Sequence, residues 1–255
     1  LIDPRAVVDP KAELADRVSI GAFAIIGPEV SIDVGSWVGP HCVLQGRTHV
    51  GRDNQIFQFA SVGERPQDKK YRGERTELVI GDRNVIREYC SLHRGTALDR
   101  GKTVIGDDNW IMAYVHVAHD CVIGSHTVLA NGTSLAGHVQ IDDHATLGGF
   151  TLLHQFCHVG AHAFSAMGTA VSRDVPPYMT VAGNPARPRG INLEGLRRHG
   201  FSAESLARLR RAYKILYRSG LRLEEAIEAL ELEGSHVELQ ELTRFLRSSR
   251  RSVVR

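Results

Sequence analysis

Leu14-Ala15-Asp16-Arg17-Val18-Ser19-Ile20-Gly21-Ala22-Phe23-Ala24-Ile25-Ile26-Gly27-Pro28-Glu29-Val30-Ser31-Ile32 places an aliphatic residue at every sixth position. The spacing extends back to Val8 and Ile2 and forward through Val38, Leu44, Val50, Ile56 and Val62. A helix face needs a 3.6-residue period, so this stretch is not helical. The repeat returns at Ile80, Ile86 and Leu92. It runs again from Ile105 through Ile111, Val117, Ile123, Leu129, Leu135, Ile141, Leu147, Leu153 and Val159, fails at Ser165 and resumes at Val171. Glycine often follows the aliphatic residue, as in Ile20-Gly21, Ile26-Gly27, Ile105-Gly106 and Ile123-Gly124, which predicts tight corners there.

The pattern resembles the hexapeptide-repeat family, whose prism-shaped coils take three hexads per turn. The resemblance implies a mainly β fold, a left-handed parallel β-helix with eighteen residues per coil. Four residues after each aliphatic anchor stands a small residue, as at Ala24, Ser36, Thr48, Ala60, Thr127, Thr133, Ala145 and Thr151. All four cysteines, Cys42, Cys90, Cys121 and Cys157, share this slot and read as small buried hydrophobes without chemistry.

Residues 63–79 and 94–104 leave the repeat, and excursions from a rigid solenoid are where substrate contacts concentrate. After Val171 the prolines of Asp174-Val175-Pro176-Pro177-Tyr178 predict the end of the coils. Apolar spacing then predicts a helix from an N-cap at Ser202 to a stop at Gly220, a second over Leu223–Leu232 and a third over His236–Leu246. The expected organisation is a β-helix over 1–190 and a small helical domain over 191–255, capping the open end of the solenoid.

A net charge of +2 gives no argument for nucleic acid. Neither a signal-peptide pattern nor an apolar run of about eighteen residues is present, so a cytoplasmic protein without stable membrane insertion is expected. From Arg187 onward fifteen Arg or Lys face nine Glu, a local excess that predicts an acidic partner.

Eight of the thirteen histidines lie between His116 and His162. At eighteen residues per coil His119, Gly137 and Gln155 stack, as do Asp120 and His138. With strands about 4.8 Å apart, a glycine N–H, a carboxylate and two imidazoles should share one outer patch. That patch holds a base, its orienting partner and an oxyanion donor, the parts of acyl transfer to a hydroxyl.

His116-Val117-Ala118-His119-Asp120, Leu135-Ala136-Gly137-His138-Val139, Leu153-His154-Gln155-Phe156-Cys157, Asp174-Val175-Pro176-Pro177-Tyr178 and Asn192-Leu193-Glu194-Gly195-Leu196-Arg197-Arg198 together resemble the UDP-N-acetylglucosamine O-acyltransferases of the first lipid A step, over nearly the whole chain. The resemblance implies His119 as general base, with Asp120 beside it, and Gly137 as backbone donor to the oxyanion. It assigns Gln67, Asp68, Lys70, His116, His138, His154 and Gln155 to the sugar nucleotide and acyl group, and Asn192, Glu194 and Arg198 to the nucleotide end. It implies a homotrimer with sites between subunits and no cofactor. The co-substrate is an acyl carrier protein bearing a phosphopantetheine-linked 3-hydroxyacyl group, met by Arg208, Arg210, Arg211, Lys214 and Arg218. Met167 matches a chain-length ruler position, which predicts a ten- or twelve-carbon donor. Two positions depart from the family: Lys69 stands where Leu is frequent and His199 where Arg is common.

Three other readings are open to the same residues, one of them a non-enzymatic solenoid scaffold, which gives no reason for a polar constellation on one outer face. The related N-acyltransferases of the pathway share the scaffold but carry a domain ahead of their hexads, whereas the hexads here begin at Ile2. His116-x-x-His119 and His154-x-x-x-His158 resemble the histidine pairs of trimeric zinc β-helix carbonic anhydrases. No metal is expected on the O-acyltransferase reading.

Overall fold

A computed structural model of the chain describes residues 1–249 and 251–255. Short strands, mostly of two residues, wind into three sheets of nine, eight and ten strands that form the faces of a triangular prism. The strands pair in parallel with the equivalent strand of the next coil, typically eighteen residues on, as in Val122↔Gln140 and Ile123↔Ile141. The hexad aliphatics from Ile20 to Val159 are buried in one continuous core. This is the left-handed parallel β-helix that the resemblance to the hexapeptide-repeat family implies.

The small slot behind each anchor holds more than cysteine. Asn54, Asn84 and Asn109 form a buried ladder there: Asn54 Oδ1 accepts from Asn84 N–H (2.9 Å), Asn84 Oδ1 from Asn109 N–H (2.9 Å), and Asn109 Oδ1 from Thr127 N–H (2.8 Å). These bonds satisfy polar groups that burial would otherwise penalise. Ser165 fills its anchor position by bonding Thr151 Oγ1 at 2.8 Å, which explains a hydroxyl in an aliphatic row. All four cysteines are buried and free, and burial pushes the Cys121 thiol up to about 12.

The corners differ from expectation. Gly21, Gly27, Gly106 and Gly124 keep ordinary φ; the left-handed residue more often lies two positions beyond such a corner, and it is usually large: Phe23, Phe59, Tyr89, Asp120, His126 and His138 have φ from 58° to 65°. The glycines serve close coil approach instead. A Cβ on Gly21 would lie 2.6 Å from Pro40 N, and one on Gly106 2.7 Å from Gly124 O.

Parallel pairing extends into both excursions, so the strands Ser61–Glu64 and Glu77–Ile80 bracket the first, and Ser91–His93 and Lys102–Ile105 the second. Beyond the coils, Met179–Ala182 and Arg187–Ile191 make an antiparallel hairpin that the sequence reading did not predict. Helices follow: α1 (Leu193–Arg198), α2 (Ala203–Arg218), α3 (Leu223–Leu232) and α4 (Val237–Ser248). Ser202 caps α2 by accepting from Ser205 N–H, as expected, whereas α1 was not foreseen. The helices pack on Met179 of the hairpin, Tyr178 O–H donates to Glu241 of α4, and Val253 bridges to Asp174 of the last coil.

Candidate active site

His119 and Gly137 fall at the same corner of successive coils because that register is eighteen residues. His119 Nδ1 lies 2.9 Å from Asp120 Oδ2. A carboxylate only accepts, so Nδ1 carries the proton and Nε2 keeps its lone pair. A Cβ on Gly137 would lie 2.7 Å from that Nε2. Glycine thus leaves open the space in front of the one ring nitrogen free to take a proton. Among the described residues the Gly137 N–H has no acceptor within the chain.

Asp120 departs from the expected outer patch, for it is 1% exposed. The second excursion covers it: Thr96 donates its N–H at 3.0 Å and its hydroxyl at 2.6 Å to the carboxylate. Burial alone raises the carboxyl pKa, but hydrogen bonds from His119 and Thr96 outweigh it, and the net direction is down. His138 donates Nδ1–H to Asp99 Oδ2 at 2.7 Å, meets the His119 ring edge-to-face at 5.0 Å and stacks on Phe156 at 4.3 Å. His116 bonds Ser91 through Nδ1 (2.8 Å), and burial, then the neighbouring His93 and His119, lower its pKa. His154 and Gln155 are exposed; Arg251 donates to Gln155 O (2.6 Å) and reaches His154 Nδ1 (3.1 Å).

Sequence reasoning missed Thr96, Asp99, His93 and Arg251. Thr96 and Asp99 lie in an excursion already singled out, but no period marks which of its residues turn inward. His93 is 4% exposed with Nε2 unpartnered, and it meets the His116 ring edge-on.

Several predicted contacts stand apart within one chain. Gln67 and Lys70 are exposed on the first excursion, where Asp68 Oδ1 accepts from Lys70 N–H. Among the described residues no hydrogen bond or ion pair joins them to His119. Asn192 is already occupied, its Oδ1 capping α1 at Gly195 N–H and its Nδ2 donating to His162 O. Glu194 pairs with Arg197, while Arg198 is exposed. Met167 is 78% exposed, so it does not pack the interior of the chain. On α2, Arg208 pairs with Glu204 and Glu238, and Arg211 with Glu233. Arg210, Lys214 and Arg218, four residues apart, are left as an exposed basic stripe.

The proposed zinc pairs do not assemble. His116 is held by Ser91 and His158 by Asp142 (2.7 Å), and neither His154 nor His158 joins a three-ligand cluster among the described residues. His119, Asp120 and His138 do bring ligand atoms within 4.8 Å. Their hydrogen bonds, however, already commit Asp120 to Thr96 and His119, an arrangement that fixes the orientation of the His119 ring.

Residues 102–137 match the bacterial transferase hexapeptide (six repeats), which defines a transferase of the hexapeptide class. Residues 174–254 match UDP-N-acetylglucosamine O-acyltransferase, domain 2. The acyl-[acyl-carrier-protein]–UDP-N-acetylglucosamine O-acyltransferase of Pseudomonas putida (strain W619) is 55% identical over all of this chain and 99% of its own length. That of Stutzerimonas stutzeri is 56% identical over 90% of the chain and 89% of its length. Among solved structures, the UDP-N-acetylglucosamine acyltransferase of Francisella novicida superposes with a TM-score of 0.98 at 43% identity, covering 100% of this chain and 94% of that one. LpxA from Acinetobacter baumannii gives 0.97 at 46% identity, covering both chains fully. The chain belongs to the acyl-[acyl-carrier-protein]–UDP-N-acetylglucosamine O-acyltransferase family.

Asp120 supplies a pH test. Its carboxyl titrates lower in the folded chain than in the unfolded one, so its stabilisation is full above the ordinary carboxylate range of about 4 and is lost as pH falls through the lower folded value. Asp120→Asn is therefore expected to flatten the acid-side fall in denaturation midpoint. A variant with the wild-type pH slope would contradict it.

Proposed function

We propose that His119 is the general base with which this enzyme transfers a 3-hydroxyacyl group from acyl carrier protein to the 3-hydroxyl of UDP-N-acetylglucosamine, the first step of lipid A biosynthesis. The observation that carries the assignment is the His119 Nδ1–Asp120 contact at 2.9 Å, which leaves Nε2 free beside Gly137. Nε2 takes the sugar hydroxyl proton as the oxygen attacks the thioester carbonyl. The Gly137 N–H receives the negative charge that develops on that carbonyl oxygen. The tetrahedral intermediate then collapses, the C–S bond breaks, and His119 returns the proton to the phosphopantetheine thiolate. No metal or further cofactor enters this sequence.

Asp68, Lys70 and Gln67 on one excursion, and Asn192, Glu194 and Arg198 at the helical end, serve the sugar nucleotide across subunit boundaries in a homotrimer. The separation of these groups from His119 within one chain supports that reading. His116, His138, His154 and Gln155 line the remainder of the cleft. No described helix is long and apolar enough to cross a membrane. The cytoplasm, where four free buried cysteines stay reduced, is the proposed compartment.

His119→Ala is expected to lower turnover about 10²-fold to 10⁴-fold while nucleotide affinity is kept, measured with purified acyl carrier protein substrate. Near wild-type turnover would remove His119 from the base role, and a light-scattering mass of one chain would remove the trimer.

Carrier docking falls to the Arg210, Lys214 and Arg218 stripe, because Arg208 and Arg211 are neutralised within the chain. Reversing Arg210 and Lys214 to Glu should raise KM for the carrier at low salt and leave KM for the nucleotide alone. The difference should shrink as ionic strength shortens screening to about 8 Å and below. A carrier KM unchanged at low salt would move the docking site elsewhere.

Met167 sets donor length in this reading. It stands about 2.7 coils beyond His119, roughly 13 Å along the prism at about 4.8 Å per coil. The expected donor is 3-hydroxydecanoyl or 3-hydroxydodecanoyl, since each methylene left in water forgoes about 0.8 kcal/mol. Met167→Gly should shift the preference towards the 3-hydroxymyristoyl chain. A wild-type enzyme that already prefers fourteen carbons would end the ruler assignment.

A further inference from the structure

A second cluster of ring nitrogens lies away from His119, where one corner of the prism meets α1. His144 and His162 occupy equivalent positions in successive coils, their rings stacked 4.6 Å apart at 9°. His126 continues the column one coil earlier, 4.9 Å from His144. His199, the C-cap of α1, turns its ring edge to both, at 4.7 Å from His144 and 5.1 Å from His162.

One ring nitrogen of each of His144, His162 and His199 lies within 4.8 Å of the other two. The Nδ1 atoms of His144 and His162 are buried and have no hydrogen-bond partner among the described residues. Unpartnered buried nitrogens are rare in folded chains and call for a physical explanation. Burial first, and then the neighbouring imidazoles, lower both pKa values, that of His162 to about 4. The shift favours the neutral imidazole, the form that donates a lone pair to a metal.

We propose that His144, His162 and His199 form a binding site for a divalent transition-metal ion of the imidazole-preferring class, with Zn(II) as its first occupant. Three nitrogens and a water complete a tetrahedral shell. Zn–N bonds of about 2.0–2.1 Å require ligand nitrogens about 3.4 Å apart, and the three nitrogens here lie within 4.8 Å of one another. Stacked rings also direct their in-plane lone pairs along parallel planes, so binding requires a ring to turn about its side-chain torsions. His199, exposed at a helix end, has the freedom to close on the pair. That rearrangement places the affinity in the micromolar range rather than that of a preformed structural site.

The ion would tie α1 to the corner from its C-terminal end, as the Asn192 bond to His162 O already does from the N-terminal end. It touches neither His119, Asp120 nor Gly137, although α1 also carries Glu194 and Arg198, assigned above to the nucleotide end.

The test titrates the chelator-treated full chain with Zn(II) by calorimetry and with Co(II) by visible absorption. One equivalent per chain is expected. His199→Ala and His162→Ala should each weaken binding at least about tenfold, equivalent to about 1.4 kcal/mol. His199→Cys should retain binding and add a thiolate-to-cobalt charge-transfer band. His138→Ala, in the other nitrogen cluster, should leave the affinity unchanged. Absence of saturable binding below about 100 μM, or binding that survives His199→Ala and His162→Ala but is lost in His138→Ala, would overturn the site.

Discussion

The structure depends on the pairing of each strand with its equivalent in the next coil, typically eighteen residues on, as in Val122↔Gln140 and Gln140↔His158. Parallel pairing at a fixed register makes every position a column. A residue type that suits its neighbour one coil away is stabilised there, and one that does not is excluded, so columns of like residues accumulate. The aliphatic core, the Asn54–Asn84–Asn109 ladder and the imidazole stack from His126 to His162 are three results of one constraint.

The corners reveal how that constraint overrides local preference. A non-glycine residue in the left-handed region costs roughly 1–2 kcal/mol, yet Phe23, His41, Phe59, Tyr89 and Tyr114 all adopt it in one column. Their rings stack at 4.9–5.2 Å. Each such pair contributes about 0.5–1.5 kcal/mol, comparable with the backbone cost. Glycine is thereby freed for places where backbone must approach backbone, as at Gly21 and Gly106, or where a neighbouring side chain needs room, as at Gly137 beside the His119 ring.

The same logic separates what the sequence discloses from what it conceals. Eighteen-residue arithmetic finds the His119–Gly137 neighbourhood and the Asp120–His138 stack because both are columns. It cannot find Thr96 or Asp99, since the excursion that carries them is aperiodic and reaches the site by folding over it. It also misjudges Asp120, whose buried carboxylate accepts hydrogen bonds from Thr96 of that excursion. The six residues of α1 are too few for a helical period to register, and the hairpin at Met179–Ala182 and Arg187–Ile191 reads as punctuation because Gly183 and Pro185 sit in its turn. Arg251 reaches His154 across 97 residues, a contact that no spacing rule addresses.

The site is built by joining a periodic scaffold to aperiodic covers, and the two parts contribute different chemistry. The coils fix His119 and Gly137 within one strand spacing of each other, a rigidity that a loop cannot match. The cover supplies hydrogen bonds to the buried carboxylate: Thr96 gives two donors to Asp120, and Asp99 holds His138. Without Thr96 the Asp120 charge would be left to His119 and the more distant His138, and burial would act to push its carboxyl towards the neutral form. A neutral carboxyl would no longer hold the Nδ1 proton as strongly, and Nε2 would lose its preference as the free base. The tautomer of His119 thus depends on a loop outside the repeat, one held by Gly95 N–H donating to Glu77 O and by the Thr103 hydroxyl accepting from Asp120 N–H.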